Sequence, residues 1–465
     1  MSFNPGKRFG WGRADAQRLL PTVPKLVPPS LGLGSRRRSL ASLPPNPPEN
    51  AAQDVNKAID VELKRDAMIR KERNVREIKV ILFGQPDSGK STLIKQLQLL
   101  YASDALDNKR TLWRAAVFLN ILKAVRMILM DLDWEFSHED HEDEFNSRQI
   151  RQEIAAIRGK LLPLLATEES LAMELSGGVS FSRPSGARVR PGWQQSVIPN
   201  EGSPSEKEKP SGLLQVTNLI AKYLSTSAAL IGILWSHPTV NNYFPLRKIQ
   251  LDDSAPYFLD HIDRIAAVDY IPTNNDILRV RLTTLGVGEH TFAVKFAGKV
   301  NTVTYFDVSG ACSRRLSWIP YFEAATSIIF FAPISAFDQY LEDDPATNRL
   351  HHSLQLLSAV CANKILRHAQ LVLFLNKIDL LKQKLEAGIE VQKYITSYGN
   401  RPNTYECVSD YFRNHFLQAH RKHDVSRRAM HVYFSCMIDI SASHVLITNV
   451  GAEMIRKHIC GLNLV

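Results

Sequence analysis

The sequence predicts an α/β sheet domain interrupted by an all-helical domain. Three observations carry that expectation. An apolar strand, Ile78–Phe83, runs through a glycine-bounded loop, Gly84–Ser91, into a periodic helix, TLIKQLQLL. Residues 104–270 then hold helical periodicity and no convincing strand. Strand signals resume at 291 and recur to 435, with helices between them.

The chain opens on a stretch that cannot pack. Lys plus Arg number 57 and Asp plus Glu 47 over 465 residues, a formal net charge of +10. Residues 1–50 carry eight Lys or Arg against two acids, Asp15 and Glu49, and nine of the 24 prolines. Proline denies the backbone its helix bonds, and apolar patterning is thin, so a disordered basic tail is expected. Two readings of it stay open: a solvated tail without a partner, and contact with acidic lipid or another acidic surface. Nucleic acid is not the expected partner, because RRRS at 36–39 is a short run. Residues 51–76 change character. Val55, Ile59, Leu63 and Met68, with Lys and Arg interleaved, predict an amphipathic helix.

After the strand, loop and helix at 78–100, helices are expected at 112–130, 148–165 and 213–224. Acids crowd 139–144, and Gly, Ser and Pro crowd 176–211, so a flexible insertion is expected over about 131–211. Strands follow at 291–296, 302–306, 327–332, 370–375 and 431–435, with helices at 345–366 and 445–458. The expected boundaries are a tail at 1–50, an N-terminal helix at 51–76, a sheet domain at 77–103 and 271–465, and a helical domain at 104–270.

Composition excludes several classes. The hydrophobic fraction of 44% supplies a full core. No apolar run approaches 18 residues, so no membrane-spanning helix is expected. The start, MSFNPGKRFGWGRADAQ, lacks the apolar stretch of a secretory signal. The five cysteines, Cys312, Cys361, Cys407, Cys436 and Cys460, form no C-x-x-C pair and no obvious zinc spacing. A reduced, intracellular chain with buried free thiols is expected.

Gly84-x-x-x-x-Gly89-Lys90-Ser91 matches the full phosphate-loop pattern between strand and helix. The glycines let successive amides curl around one anion. Lys90 supplies a point charge for the β and γ phosphates, Ser91 offers a hydroxyl to Mg²⁺, and the helix start favours negative charge. Asn376-Lys377-Ile378-Asp379 follows the apolar strand at 370–375. A carboxylate there accepts from guanine N1–H and the exocyclic amine, a donor pair that adenine lacks. Together the two motifs predict GTP or GDP rather than ATP, against the competing reading of a phosphate-loop kinase or ATPase.

With these residues in place, the sequence resembles the α subunits of heterotrimeric G proteins. Y-I-P-T-x-x-D-I-L-R-x-R-x-x-T at 270–284 resembles that family's first switch, and FDVSG at 306–310 the start of its second. FLNKIDL at 374–380 is similar to its guanine motif, and LDDSAPYFLDHIDRIA at 251–266 to the end of its helical domain. The resemblance covers about 55–465, apart from 131–211. It implies a phosphate-loop GTPase domain of the Ras-like kind with an inserted all-helical domain closing over the nucleotide.

The resemblance also implies roles. Arg281 matches the arginine that stabilises charge on the γ phosphate. Thr284 joins Ser91 on Mg²⁺, Asp307 holds the metal through water, and the Gly310 amide senses the γ phosphate. Asp87 stands where the family has Glu, one methylene longer. Asp87, Ser88, Gly89, Lys90, Ser91 and Thr92 are expected on the phosphates. Ser254, Leu278 and Arg279 line the cleft from the helical side. Asn376, Lys377, Asp379 and Met437 are expected at the base. A βγ dimer, a G-protein-coupled receptor reading the C-terminal helix, and an effector are the implied partners. The cytoplasm or the cytoplasmic face of the plasma membrane is the implied location.

Departures from the family concentrate at the chemistry. Ala311 occupies the position of the glutamine that orients the attacking water. Cys312 and Ser313 follow it and are weaker at fixing a water, and Ser309 replaces a glycine. Ser435-Cys436-Met437-Ile438-Asp439 replaces Thr-Cys-Ala-Thr, so the Met437 side chain must turn away from the base. Residue 2 is Ser, which removes the myristoylation signal. The expectation is GTP binding with very slow hydrolysis; the alternative is a non-hydrolysing scaffold on the same fold.

Overall fold

The computed structural model describes residues 77–138, 144–178, 188–189, 193–194, 212–244, 249, 251–284, 286–308, 319–322, 325–341 and 344–461. The tail at 1–50, the helix expected at 51–76, and Ser309, Gly310, Ala311, Cys312 and Ser313 lie outside the described residues.

Eight strands are described, β1 (Glu77–Gly84), β2 (Arg188–Val189), β3 (Thr283–Thr284), β4 (Val287–Phe296), β5 (Lys299–Val308), β6 (Ser327–Pro333), β7 (Gln370–Asn376) and β8 (Met430–Ser435). Six of them form one sheet in the order β4-β5-β1-β6-β7-β8. Only the β4–β5 pair is antiparallel. The parallel strands read as continuous apolar runs because helices cover both faces. Ile81, Phe83, Phe330, Leu373 and Leu375 point into one core, and Val80, Leu82, Phe331, Val372 and Phe374 into the other. All seven residues of β6 are buried. The carboxyl ends of β5, β1, β7 and β8 therefore open on one rim, where ligands bind in sheets of this kind.

The helical domain has its own core. Its spine is the helix Trp113–His138, with Val117, Ile121, Leu122, Val125, Ile128 and Leu132 buried. The helix Gly212–Trp235 packs beside it through Leu213, Thr217, Ile220, Leu224, Ser227, Ile231 and Leu234. Those positions alternate by four and three residues, the seam of a helix bundle. This helix bears on one expectation. By length and composition it is long and apolar enough to cross a membrane. A search for uninterrupted apolar runs misses it because Gln215, Asn218 and Lys222 punctuate the run. Its periodic buried seam is that of a bundle helix.

Three further expectations change. Much of 131–176, taken as part of a flexible insertion, is helical: Trp113–His138 runs through it, followed by Glu144–Leu165 and Glu168–Ser176. Residues 104–270 also hold one strand. β2 pairs in parallel with β3, Arg188 opposite Thr283 and Val189 opposite Thr284. Two residues are too few to leave a periodic pattern. Val189 is buried and Trp193 meets Trp113 edge-on at 5.6 Å between ring centres, which anchors the pairing. The helix expected over 345–366 resolves into Arg349–Ala362 and a separate single turn, Ile365–His368. A nineteen-residue helix, Tyr405–His423, carried no expectation at all.

Candidate functional site

A cleft opens between the sheet rim and the helical domain. Its lining includes Asp87, Ser88, Gly89, Lys90, Ser91 and Thr92 from the phosphate loop and its helix. Ser254, Leu278, Arg279 and Arg281 line it from the helical side, and Asp307 from β5. Asn376, Lys377, Asp379 and Met437 close the far end. Thr284 lies in β3, while Gly310 and Ala311 fall outside the described residues.

The phosphate loop is shaped by two glycines with positive φ. At Gly84, φ is 143° and an added Cβ would stand 2.5 Å from the Phe331 carbonyl oxygen. At Gly89, φ is 109° and a Cβ would stand 2.1 Å from Asn376 Nδ2. No other residue type fits either place without moving its surroundings. Lys90, the first residue of the helix Lys90–Tyr101, is buried with its Nζ donating to Gly84 O at 2.9 Å and Gln85 O at 2.7 Å. Burial lowers its pKa to about 8, with Asp307 and Asp87 opposing. Lys95, one turn along, donates to Val280 O at 2.7 Å, and burial lowers it to about 7. These ammonium groups face the cleft with little solvent to stabilise them, which suits a polyanionic ligand.

Ser91 Oγ donates to Asp307 Oδ2 at 2.8 Å. A hydroxyl and a carboxylate beside the phosphate loop are hard oxygen donors, the set Mg²⁺ takes together with substrate phosphates. The residues present therefore fit that ion.

Asn376 has a role the sequence did not suggest. Its Nδ2 donates to Ser88 O at 2.9 Å. Its Oδ1 accepts from Ser435 Oγ at 3.1 Å and from the Met437 amide at 3.3 Å. The side chain thus ties the phosphate loop to the end of the cleft that carries Ser435 and Met437. The Met437 side chain turns into the sheet core, against Ile447 and Val450, and Met437 O accepts from Gln96 Nε2 at 2.8 Å. Cys436 sits against Asp379, and burial together with that carboxylate raises its thiol to about 11.

Charge crosses the cleft. Lys377, with φ of 64°, donates to Asp87 Oδ2 at 2.7 Å and to Asp253 Oδ2 at 2.8 Å, joining the phosphate loop to the helical domain. Burial opposes the Asp87 carboxylate, but Arg281, Lys377 and Arg349 hold it well below the usual carboxylate range. Arg281 Nε lies 3.7 Å from Asp87 Oδ1, while its Nη1 is bonded to Asp252. Asp252 and Asp253 fall within the stretch 251–266 quoted for the resemblance, but sequence reasoning gave neither a role.

It gave no role to Asp276 either, the acid of the first-switch pattern at 270–284. This fully buried carboxylate accepts from Arg264 at 2.7 and 2.9 Å, Tyr257 OH at 2.8 Å, Tyr270 OH at 3.0 Å and the Thr273 amide at 2.8 Å. Thr273 and Asp276 form a capping box on the helix Asn274–Arg279, so the turn entering the first switch is fixed at both ends. Away from the cleft, Cys361, His420 and Asp424 bring their ligand atoms within 4.8 Å of one another, a grouping that sequence spacing hides. Arg428 Nε already donates to Asp424 at 3.0 Å, so a guanidinium supplies the counter-charge there.

A family model described as G-protein alpha subunit matches residues 53–455. The guanine nucleotide-binding protein subunit alpha of Cochliobolus heterostrophus is 30% identical over 420 residues, 89% of this chain and 98% of the relative. That of Cryphonectria parasitica is 30% identical over 413 residues, 88% of this chain and 96% of the relative. The guanine nucleotide-binding protein alpha-1 subunit of Neurospora crassa is 29% identical over the same length and shares.

Proposed function

The chain belongs to the G-protein α subunit family, a family of guanine-nucleotide-binding signal transducers with GTPase activity, and from that premise we propose a switch that binds GTP and GDP in the described cleft and hydrolyses GTP very slowly. The observation that carries this reading is the tie through Asn376, which sets the phosphate loop and the guanine motif at one distance across the cleft. Lys90 meets the β and γ phosphates, Asp379 the guanine edge, and Ser91, Thr284 and Asp307 the metal. Bound Mg²⁺ would neutralise charge between the phosphates. Arg281 supplies charge for the γ phosphate, and the Gly310 amide senses it.

Ala311 sets the rate. Charge stabilisation acts only on an attack that is correctly aimed, and alanine has no polar group to aim water. Losing one such group costs about 10²-fold or more. The GTP form then persists, and reset depends on exchange or a partner. A βγ dimer, a receptor engaging the C-terminal helix Ile440–Gly461, and an effector are the partners proposed. The site proposed is the cytoplasm or the cytoplasmic face of the plasma membrane.

Single-turnover GTP hydrolysis of Ala311→Gln tests the rate argument. A rise of about 10²-fold with GTP affinity little changed is expected; an unchanged rate defeats it. Calorimetry tests the base. Asp379→Asn should cost roughly 1–3 kcal/mol of GDP binding. Equal affinity of the parent chain for ATP and GTP would sink the guanine assignment and leave the scaffold reading, which Ala311 and Met437 favour.

A further inference from the structure

We infer that Asp252 is a positioning residue that draws Arg281 off the phosphates and latches the helical domain over the cleft. The inference rests on the nucleotide-switch reading above and adds a residue to it. Asp252 lies in the turn before the helix Ala255–Asp260, its carbonyl accepting from the Ala255 amide at 2.9 Å, so its side chain starts from a fixed backbone. One carboxylate oxygen is bonded to Arg281 Nη1 and the other accepts from Lys123 Nζ at 2.8 Å. The three side chains retain only 13–25% of their exposure, where charge-assisted bonds gain strength.

The main chain of Arg281 is gripped from the same side. Asn120, one turn before Lys123, accepts from the Arg281 amide at 2.9 Å and donates to the Arg281 carbonyl at 3.2 Å. The helical domain therefore holds Arg281 by backbone and by guanidinium. The phosphate loop competes weakly. Asp87 stands 3.7 Å from Arg281 Nε and is committed to Lys377 at 2.7 Å. A carboxylate one methylene shorter than glutamate leaves the guanidinium to Asp252.

The arrangement is reversible because of Lys123. When a γ phosphate draws the guanidinium away, Lys123 remains on Asp252, so no uncompensated buried carboxylate is left behind. Each state keeps Asp252 paired, and the cost of moving Arg281 is the loss of one charged bond between the domains. Asp252 thus opposes hydrolysis and nucleotide release through a single contact.

The test compares the full chain with Asp252→Asn, which keeps shape and removes charge. Release of a fluorescent GDP should quicken about tenfold, a change worth about 1.4 kcal/mol. Single-turnover GTP hydrolysis should rise several-fold. Salt should quicken GDP release in the parent and less so in the variant, because the screened pair is gone. Asp252→Glu should restore slow release. A third measurement needs no nucleotide: energy transfer between fluorophores at exposed Lys160 and Glu386 should fall in Asp252→Asn. Unchanged release with unchanged transfer overturns the inference, as does slower hydrolysis, which would make Asp252 a group that aims Arg281 at phosphate. If the parent binds no GDP, the nucleotide reading fails by itself, and the transfer measurement alone decides the latch, an unchanged value overturning it.

Discussion

Burial lowers Lys90 to about 8 and Lys95 to about 7. Phosphate charge favours the ammonium form and moves Lys90 back up. Between about pH 8 and the ordinary lysine value near 10.4, the nucleotide complex then holds more protons than its parts. GDP binding at about pH 9 should take up protons, read as a dependence of binding heat on buffer ionisation enthalpy. At about pH 6, where both lysines are already charged, their share of that dependence should vanish, leaving only the titration of the nucleotide phosphate. The stability sign follows from the same shift. Over this window the unfolded chain binds more protons than the fold, so the fold gains stability as pH rises. Gly89 gives a steric counterpart. In Gly89→Ala the new Cβ would fall 2.1 Å from Asn376 Nδ2, breaking the bond to Ser88 as well as straining the loop. Nucleotide binding should be lost and the melting temperature should fall, because the strained positive φ and the broken buried hydrogen bond both cost stability.

At the scale of elements, Asp276 fixes the entry to the first switch. Burial opposes its charge, but Arg264, Thr273 and Tyr257 hold the carboxyl well below the usual range. A lowered pKa contributes stability that is complete above the unfolded value near 3.9 and is lost as pH falls through the folded one. Asp276→Asn should therefore cost about 3 kcal/mol near neutral pH, read by denaturant unfolding, and should flatten the acid-side loss. The strands were legible because burial on both faces writes an uninterrupted apolar run, as in Ile328–Ala332 and Leu371–Leu375. The helix Tyr405–His423 was not, since its buried set includes Ser409 and His420 and its last turn is His, Arg, Lys and His. Burial on one face of so polar a helix is decided by the partner Arg349–Ala362, which sequence periodicity cannot see. The site divides in the same way. Phosphate loop and guanine motif are local patterns and read directly. Asp252 and Asp253 act through partners 29 to 129 residues away, and Asp276, though its capping box with Thr273 is local, also takes Arg264 and Tyr257 from 12 and 19 residues away, which no spacing announces.

At the scale of the whole molecule, two matters of organisation govern behaviour. The proline-rich, apolar-poor composition of 1–50 predicts that its deletion leaves the melting temperature unchanged, and a loss of helical signal beyond those residues would refute this. The helical domain and the sheet domain bury separate apolar cores, the first around Trp113–His138 and the second on the two faces of the sheet. Ile277 and Val280 of the switch segment reach into the helical core and the two-residue β2–β3 pairing crosses the same boundary, and the remaining ties are polar: Lys377 to Asp253, Arg281 to Asp252, and Asn120 on the Arg281 backbone. Partly exposed ion pairs are weak ties compared with a shared core. Without nucleotide, calorimetry should therefore resolve two unfolding transitions. A ligand that binds only the folded cleft stabilises it by mass action, about 2.7 kcal/mol at a concentration of 100 Kd. The sheet domain supplies the phosphate loop and the guanine motif, so saturating GDP should raise its transition by several degrees and carry the helical transition with it as the cleft closes. A single transition in the empty chain would mean that the two cores unfold as one and that the polar contacts couple them more tightly than their exposure allows. Movement of the helical transition alone would place the nucleotide on the wrong side of the cleft.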